Sequence, residues 1–460
     1  MGGKHFEKLD DEGKALTDSW DNVVRIMLLV TFLTMIVWAF VSALRWAVHE
    51  AAHVVLHAAD AGGGKGLLFL LGALGVGGAI AGALSRRPGW KEAAGDGMEL
   101  TLENYHITYE EDGDDPRPRY ERPAFALAFR KALLTLVSLG SGASGGLEAP
   151  GVLVAEGLSS GFARVMRIRS EYELRTYQLA GIAAAVATLL GAPFSAAIFA
   201  TEVVYGDRII YRKLAYALWA GVIAYALNNR FRGFVPLFAS PAHSPEYSLG
   251  EYVAVTVVAL TVSVPLAVGF AQVVKQLRKV SQRLGGYAPV LLSLCAGLIA
   301  IALKYGLGVA PSHVLGMGEA TIAGLLHGSN ELGVWWVVAI IVLGKIVTTA
   351  LAVSARHSVG MLIPSMFLGG ASGALVAQVV NLLGWRTLDP ALFVVVGISS
   401  SLVAVVGVPL AAVALVLEVF GKAFGPPAIL ASGVTYLVTL RLRLYAAQRV
   451  SPNPLADETG

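Results

Sequence analysis

Glu148 stands in the run Gly-Ser-Gly-Ala-Ser-Gly-Gly-Leu-Glu-Ala-Pro-Gly, residues 140–151, a single carboxylate among residues with almost no side chain. Such a stretch offers backbone, because glycine permits turns with φ > 0 and lets a ligand come close to the main chain. Pro150 suits the first turn of a helix, and the mostly apolar residues 152–163 are expected to form it. The free N–H groups and positive dipole end of that helix favour an anion. Glu148 lies where the anion would bind, so its tethered carboxylate would compete. Two more carboxylates, Glu202 and Glu418, close the elements Gly191-Ala-Pro and Gly407-Val-Pro at identical Gly-to-Glu spacing. Their symmetric places argue for helix-end or interface roles. A different chemistry is open to His49-Glu50-Ala51-Ala52-His53, which has the form of the H-E-x-x-H zinc motif. Two histidines four apart share a helix face and the glutamate could act as a base. A third ligand is needed, yet His5, His106, His243, His313, His327 and His357 form no second metal-like grouping, and His57 only continues the same face. An intramembrane zinc protease is thus the rival reading, and a polar helix end near a membrane surface the ordinary one.

The elements that position these groups are membrane helices. The chain has 460 residues, of which 55% are hydrophobic and 15% charged, with a mean hydropathy of +0.65. That is far more apolar than a soluble domain, and the charges cluster between long uncharged stretches. Uncharged runs at 26–44, 66–85, 179–201, 252–274, 284–303, 358–385 and 390–417 are mostly long enough to cross a bilayer as helices. Several are interrupted by Gly and Pro, which is tolerated at membrane depth only where broken backbone is buried in protein or lines a polar cavity. This favours a transporter or channel. The net charge of +3 singles out no class of partner, and no nucleic acid is expected. Cys295, the single cysteine, excludes a disulfide framework and reads as a packing residue.

Residues 1–22 read as a cytoplasmic amphipathic helix, with no signal peptide before the first span. The glycine- and alanine-rich run at 66–85 allows close helix packing, and Arg86, Arg87 and Lys91 place its end in the cytoplasm with the N-terminus. Residues 99–122, with the acidic run 110–115, read as a solvated loop. A loop at 240–250 divides the chain into repeats at 23–239 and 251–449, followed by a tail at 450–460. The repeat is legible in two elements. The Gly-x-Pro…Glu elements recur at an offset of 216 residues, and Gly146-Leu-Glu-Ala-Pro150 is echoed by Gly360-Met-Leu-Ile-Pro364 at 214. Similar offsets in the same order indicate duplication of a whole bundle, and such halves commonly meet at the midplane with broken helices aimed at the substrate.

These four elements together with Leu444-Tyr445, in order and in register, resemble the CLC family of chloride channels and proton-coupled chloride antiporters, over about residues 20–449. The resemblance implies an all-α polytopic membrane protein with two inverted-topology repeats of tilted and broken helices. It also implies a homodimer with one pore per subunit, both termini cytoplasmic, chloride or another small anion as the transported ion, and no cofactor. With no nucleotide-binding module after Tyr445, the chain is similar to the short form of the bacterial inner membrane.

Carried over by residue, the resemblance makes Glu148 the gating glutamate, whose deprotonated side chain fills an anion site and leaves it when protonated or displaced. Met361 and Leu362 would donate backbone N–H groups to the central anion and Tyr445 its phenolic O–H, with Gly360 and Gly146 also among the anion-binding residues. Three departures stand out. Leu147 and Ala149 replace a basic residue and a glycine around the glutamate, which weakens the attraction of external anions. The family's Gly-Ser-Gly-Ile-Pro element has its nearest counterpart in Gly95-Asp-Gly-Met-Glu99, which puts Asp96 where a serine coordinates the anion. An ionised Asp96 there would repel it. The antiporters' internal proton glutamate follows the position of Glu202, and here that residue is Val203. Channel-like or weakly coupled anion transport is the expectation. A chloride/proton antiporter with a substitute path and a fluoride exporter are the alternatives.

Overall fold

In the computed structural model the described residues are 19–107, 123–168, 170–206, 209–233, 238 and 246–440. Among them the chain is helical and carries no strand. The first half contains α1 (Trp20–Ala61), α2 (Gly64–Leu84), α3 (Met98–Ile107), α4 (Ala124–Gly140), α5 (Glu148–Val165), α6 (Glu171–Leu190), α7 (Pro193–Tyr205) and α8 (Tyr211–Arg232). The second contains α9 (Leu249–Val258), a π-helical segment Ala259–Ser263, α10 (Val264–Leu284), α11 (Ala288–Leu307), α12 (Pro311–Val314), α13 (Glu319–His327), α14 (Trp335–Ser354), α15 (Leu362–Leu382), α16 (Pro390–Val406), α17 (Pro409–Val419) and α18 (Gly425–Thr439).

Helices α1, α2, α14 and α15 and the composite Leu249–Leu307 are long and apolar enough to cross a membrane. Large apolar side chains such as Trp46, Leu68, Phe129, Leu298 and Leu343 lie exposed on the outside, as a lipid-facing surface requires. Inside, α5, α6 and α16 are buried almost throughout their lengths, as is the first two-thirds of α15. Helices α15 and α16 cross backbone against backbone, since a Cβ on Gly369 would lie 2.2 Å from the carbonyl oxygen of Gly397.

Several uncharged runs that read as single spans are broken in the structure. The run at 179–201 ends one helix at Gly191 (φ 71°) and starts the next at Pro193, and the run at 390–417 does the same at Gly407 (φ 77°) and Pro409. A left-handed glycine closes the first helix, and a proline without an N–H opens the second. The run at 252–274 passes through the π segment, which immediately precedes Val264-Pro265.

Other expectations are corrected. Helix α5 starts at Glu148 itself, four residues before the expected start, so the glutamate belongs to the first turn. Part of the expected loop at 99–122 is α3, with Leu102 and Tyr105 fully buried. Residues 20–22 belong to the first long helix, and α9 begins at Leu249, inside the expected loop. Cys295 is exposed on α11 and does not pack in the core. The acidic run 110–115, Tyr445, residues 1–18 and the tail 450–460 lie outside the described residues.

Candidate functional site

The two halves meet where the chain cannot carry side chains. Gly146 and Gly360 form an antiparallel bridge, Gly146 N–H donating to Gly360 O at 2.9 Å and Gly360 N–H to Gly146 O at 2.7 Å. A Cβ on Gly360 would sit 3.2 Å from both Gly146 O and the Pro150 ring, and one on Gly145 only 2.4 Å from Val359 Cβ. Immediately past the bridge, α5 and α15 begin, so two helix N-termini converge on one buried place. With their N–H groups given to each other, Gly146 and Gly360 brace the helix starts, and the amides left for an anion come from the residues that follow.

Hydroxyl pairs fix this junction from both halves. Ser144 Oγ pairs with Thr349 Oγ1 at 2.7 Å, and Thr135 Oγ1 with Ser358 Oγ at 2.8 Å. Each member of one pair lies 214 residues from its counterpart in the other. Two Gly-x-Gly loops with positive φ at every glycine, Gly95-Asp96-Gly97 and Gly316-Met317-Gly318, form a further matched pair at an offset of 221 residues. A fully buried lysine holds each loop by its carbonyls. Lys131 Nζ donates to Gly95 O (2.6 Å) and Ala93 O (3.2 Å), and Lys345 Nζ to Gly316 O (2.7 Å) and Leu315 O (3.1 Å).

At the head of α5, Glu148 is 2% exposed, and its carboxylate folds back over Gly146, where an added Cβ would lie 2.6 Å from Oε2. The backbone N–H groups of Leu147 and Glu148 are within reach of the carboxylate, while Oε2 has no hydrogen-bond partner among the described residues. A buried oxygen without a partner loses hydration for no return, so this arrangement suits a group that leaves its place. Arg45 of α1 and Glu319 of α13 act electrostatically on Glu148. Arg45 also donates to Leu189 O (3.1 Å) and Thr188 O (3.4 Å), the carbonyls at the end of α6. Arg45, on another helix, thus acts on Glu148 against the opposing charge of Glu319. Its only sequence signal is a lone arginine that ends an apolar run.

At the head of α15, Met361 is the N-cap, and its N–H is taken by Asp96 Oδ2 at 2.8 Å. Asp96 Oδ1 accepts from Met98 N–H at 2.9 Å. Asp96, which the family resemblance sets in the serine's place, thus puts a carboxylate on one of the two amides expected to hold the anion.

Glu202 and Glu418 cap each other's repeat. Glu202 accepts from Leu410 N–H (3.1 Å) and Ala411 N–H (2.8 Å) at the start of α17, and Glu418 from Phe194 N–H (2.9 Å) and Ser195 N–H (2.7 Å) at the start of α7. These bonds agree with the helix-end role expected from symmetry. Replacing either glutamate by alanine orphans two helix N–H groups, each worth about 1–3 kcal/mol when left unsatisfied. Glu202→Ala and Glu418→Ala should each lower the thermal unfolding temperature of the detergent-solubilised protein, and a double variant no less stable than the wild type would refute the capping role.

Val203, beside Glu202, is 1% exposed. Two residues on, the Tyr205 and Tyr105 hydroxyls are hydrogen-bonded to each other, and Lys213 Nζ donates to Tyr205 Oη at 3.2 Å. Sequence reasoning did not find Tyr105 or Lys213, which α3 and α8 bring in from distant positions. The imidazoles of His49, His53 and His57 stack along α1 with centroids 6.5 and 5.4 Å apart. Among the described residues no three His, Cys, Asp or Glu side chains are grouped to hold a metal ion.

A family model described as voltage gated chloride channel matches residues 77–440. A chloride/fluoride channel protein of Pseudomonas syringae pv. tomato is 26% identical over 339 residues, which cover 70% of each chain. Among solved structures, a CLC-type fluoride/proton antiporter superposes with a TM-score of 0.74 at 19% identity, covering 94% of this chain and 99% of its own. A slow cyanobacterial chloride/proton antiporter gives 0.76 at 15% identity, with 91% and 95% covered.

Proposed function

The chain belongs to the voltage-gated chloride channel family, and from that premise we propose that it moves chloride or a similar small anion through the junction of α5 and α15, gated by Glu148. The observation that carries this reading is the convergence of two helix N-termini behind the Gly146–Gly360 bridge, with a buried carboxylate over one of them. Backbone N–H groups and helix dipoles replace part of an anion's hydration without offering a fixed counter-charge that would hold it too tightly. Glu148 imitates the anion. Ionised, it occupies the amides at the head of α5, and protonated or displaced by an incoming anion, it vacates them. Met361 and Leu362 are the amide donors on the α15 side, and Tyr445 is the phenolic donor that family resemblance assigns.

Transport in this reading is channel-like or weakly proton-coupled, because Val203 occupies the inner proton position and Glu202 is engaged as a cap. The protein works as a homodimer in a bacterial inner membrane, with both termini in the cytoplasm and no cofactor beyond the ion it carries. Fluoride is a second reading, favoured by the Gly-Asp-Gly-Met sequence at residues 95–98 in place of the serine element and by the name of the Pseudomonas relative. The test is efflux from liposomes containing purified protein, with chloride and fluoride electrodes in parallel. Electrogenic efflux of one or both anions supports transport, and no efflux above protein-free liposomes would overturn it.

A further inference from the structure

Two carboxylates lie at the junction, one for each helix start. Glu148 belongs to the helix it covers, whereas Asp96 reaches the head of α15 from the Gly95–Gly97 loop of the other half. The carboxylate of Asp96 is held at both oxygens by backbone amides, Met361 N–H and Met98 N–H, and the residue is 9% exposed. The distance of 2.8 Å from Oδ2 to Met361 N is that of a charge-assisted hydrogen bond. An anion accepting the same N–H would need the volume that Oδ2 fills, so the two exclude each other.

The second Gly-x-Gly loop shows that a buried lysine can hold such a loop without a carboxylate in it. Lys345 holds Gly316 and Leu315 just as Lys131 holds Gly95 and Ala93, with Phe367 under its ammonium at 5.3 Å, and that loop carries Met317 where the first carries Asp96. A buried lysine is therefore accommodated in this setting by carbonyls and an aromatic ring. The additional feature of the first loop is a negative charge aimed at a helix N-terminus, with Lys131 near enough to interact with it electrostatically.

We infer that Asp96 is a second tethered anion, a resident plug of the α15 amide site that the transported ion must displace, so that the junction is closed by one carboxylate at each helix start. This rests on the proposed anion path and adds a specificity-determining residue to it. A mobile ion competes with Asp96 for Met361 N–H and meets its charge, so the plug lowers affinity and selects against weakly binding anions.

The test is calorimetric titration of purified protein with sodium chloride and, separately, sodium fluoride. Asp96→Ser removes the charge while keeping a short acceptor for Met98 N–H, and it should tighten binding of at least one of the two anions tenfold or more. Asp96→Asn keeps the shape and the Met361 contact and should give a smaller gain of at least threefold. Elution of each variant at the wild-type position confirms folding, and should the serine variant not fold, the asparagine variant decides alone. Unchanged or weaker binding of both anions in a folded variant overturns the plug. If the wild type carries no anion at all, the transport reading fails. If it transports and Glu148→Gln alters its pH response while the Asp96 variants bind as the wild type does, only this inference fails.

Discussion

Glu148→Gln is expected to leave anion flux intact or raised and to remove most of its dependence on external pH. The wild-type carboxylate lies over Gly146 within reach of the Leu147 and Glu148 amides, so when ionised it would block the place an anion takes. Lowering the pH protonates it, removes its attraction to the helix N-terminus, and opens the site. Flux should therefore rise as pH falls. For one titrating carboxylate the ionised-to-protonated ratio changes tenfold per pH unit, which bounds the slope. Glutamine nearly preserves the shape but carries no proton to lose, so the residual response should be under about twofold per unit. The charged groups acting on Glu148 are Arg45 on α1 and Glu319 on α13, and Glu319 in turn feels Arg45 and His49. A response that persisted in Glu148→Gln but vanished on replacing His49 or Glu319 would transfer the sensing to them. A full response surviving all three changes would remove Glu148 from the gate.

The second large effect concerns protons. A chloride gradient across liposomes should drive anion flux with little or no uphill proton movement. Moving a proton through an apolar stretch needs an ionisable or watered relay, since charge in hydrocarbon costs at least a few kcal/mol on insertion scales. Val203 supplies none, and Glu202 has both carboxylate oxygens engaged by the α17 amides. Val203→Glu alone need not create coupling, because the carboxylate would also require a continuous path to Glu148. Robust uphill pumping by the unmodified protein would contradict the weakly coupled reading. Loss of that pumping in Tyr205→Phe would then identify the Tyr105–Tyr205 pair as the relay, and its loss in Glu202→Gln would identify the cap.

Much of this was legible in the sequence because the repeat is carried by residues that cannot be replaced without changing backbone geometry. Gly191 and Gly407 end helices in a left-handed conformation, and the following prolines restart them, so the matched spacing to Glu202 and Glu418 survived duplication. The same reasoning placed a helix start just after Glu148, although the helix begins at the glutamate itself. Asp96 was found by family resemblance, through a motif of two glycines, and the structure supplies its contact with Met361 N–H from 265 residues away.

The elements that escaped were those without local pattern. Helix α3 was hidden by glutamates and an adjacent acidic run, because its buried residues include the polar Thr101 and Asn104 and its partners belong to α5 and α7. Arg45 gave no sign of acting on Glu148, since a single cation at the end of an apolar run reads equally as a helix end. The reciprocal caps were recognised as structural by symmetry, but which helix each glutamate caps depends on how α7 and α17 cross, and that is a tertiary property.

The central claim, that an anion is held where the N-termini of α5 and α15 converge and that Glu148 takes its place, is tested most directly by anomalous diffraction from crystals of Glu148→Gln grown in bromide. The account predicts a bromide peak over Gly146, in the volume vacated by the carboxylate and within about 3.5 Å of backbone nitrogen at residues 147–149, and the same volume without bromide in wild-type crystals grown at high pH. Saturating bromide with no peak at either helix start, in a variant that still conducts anions, would contradict it.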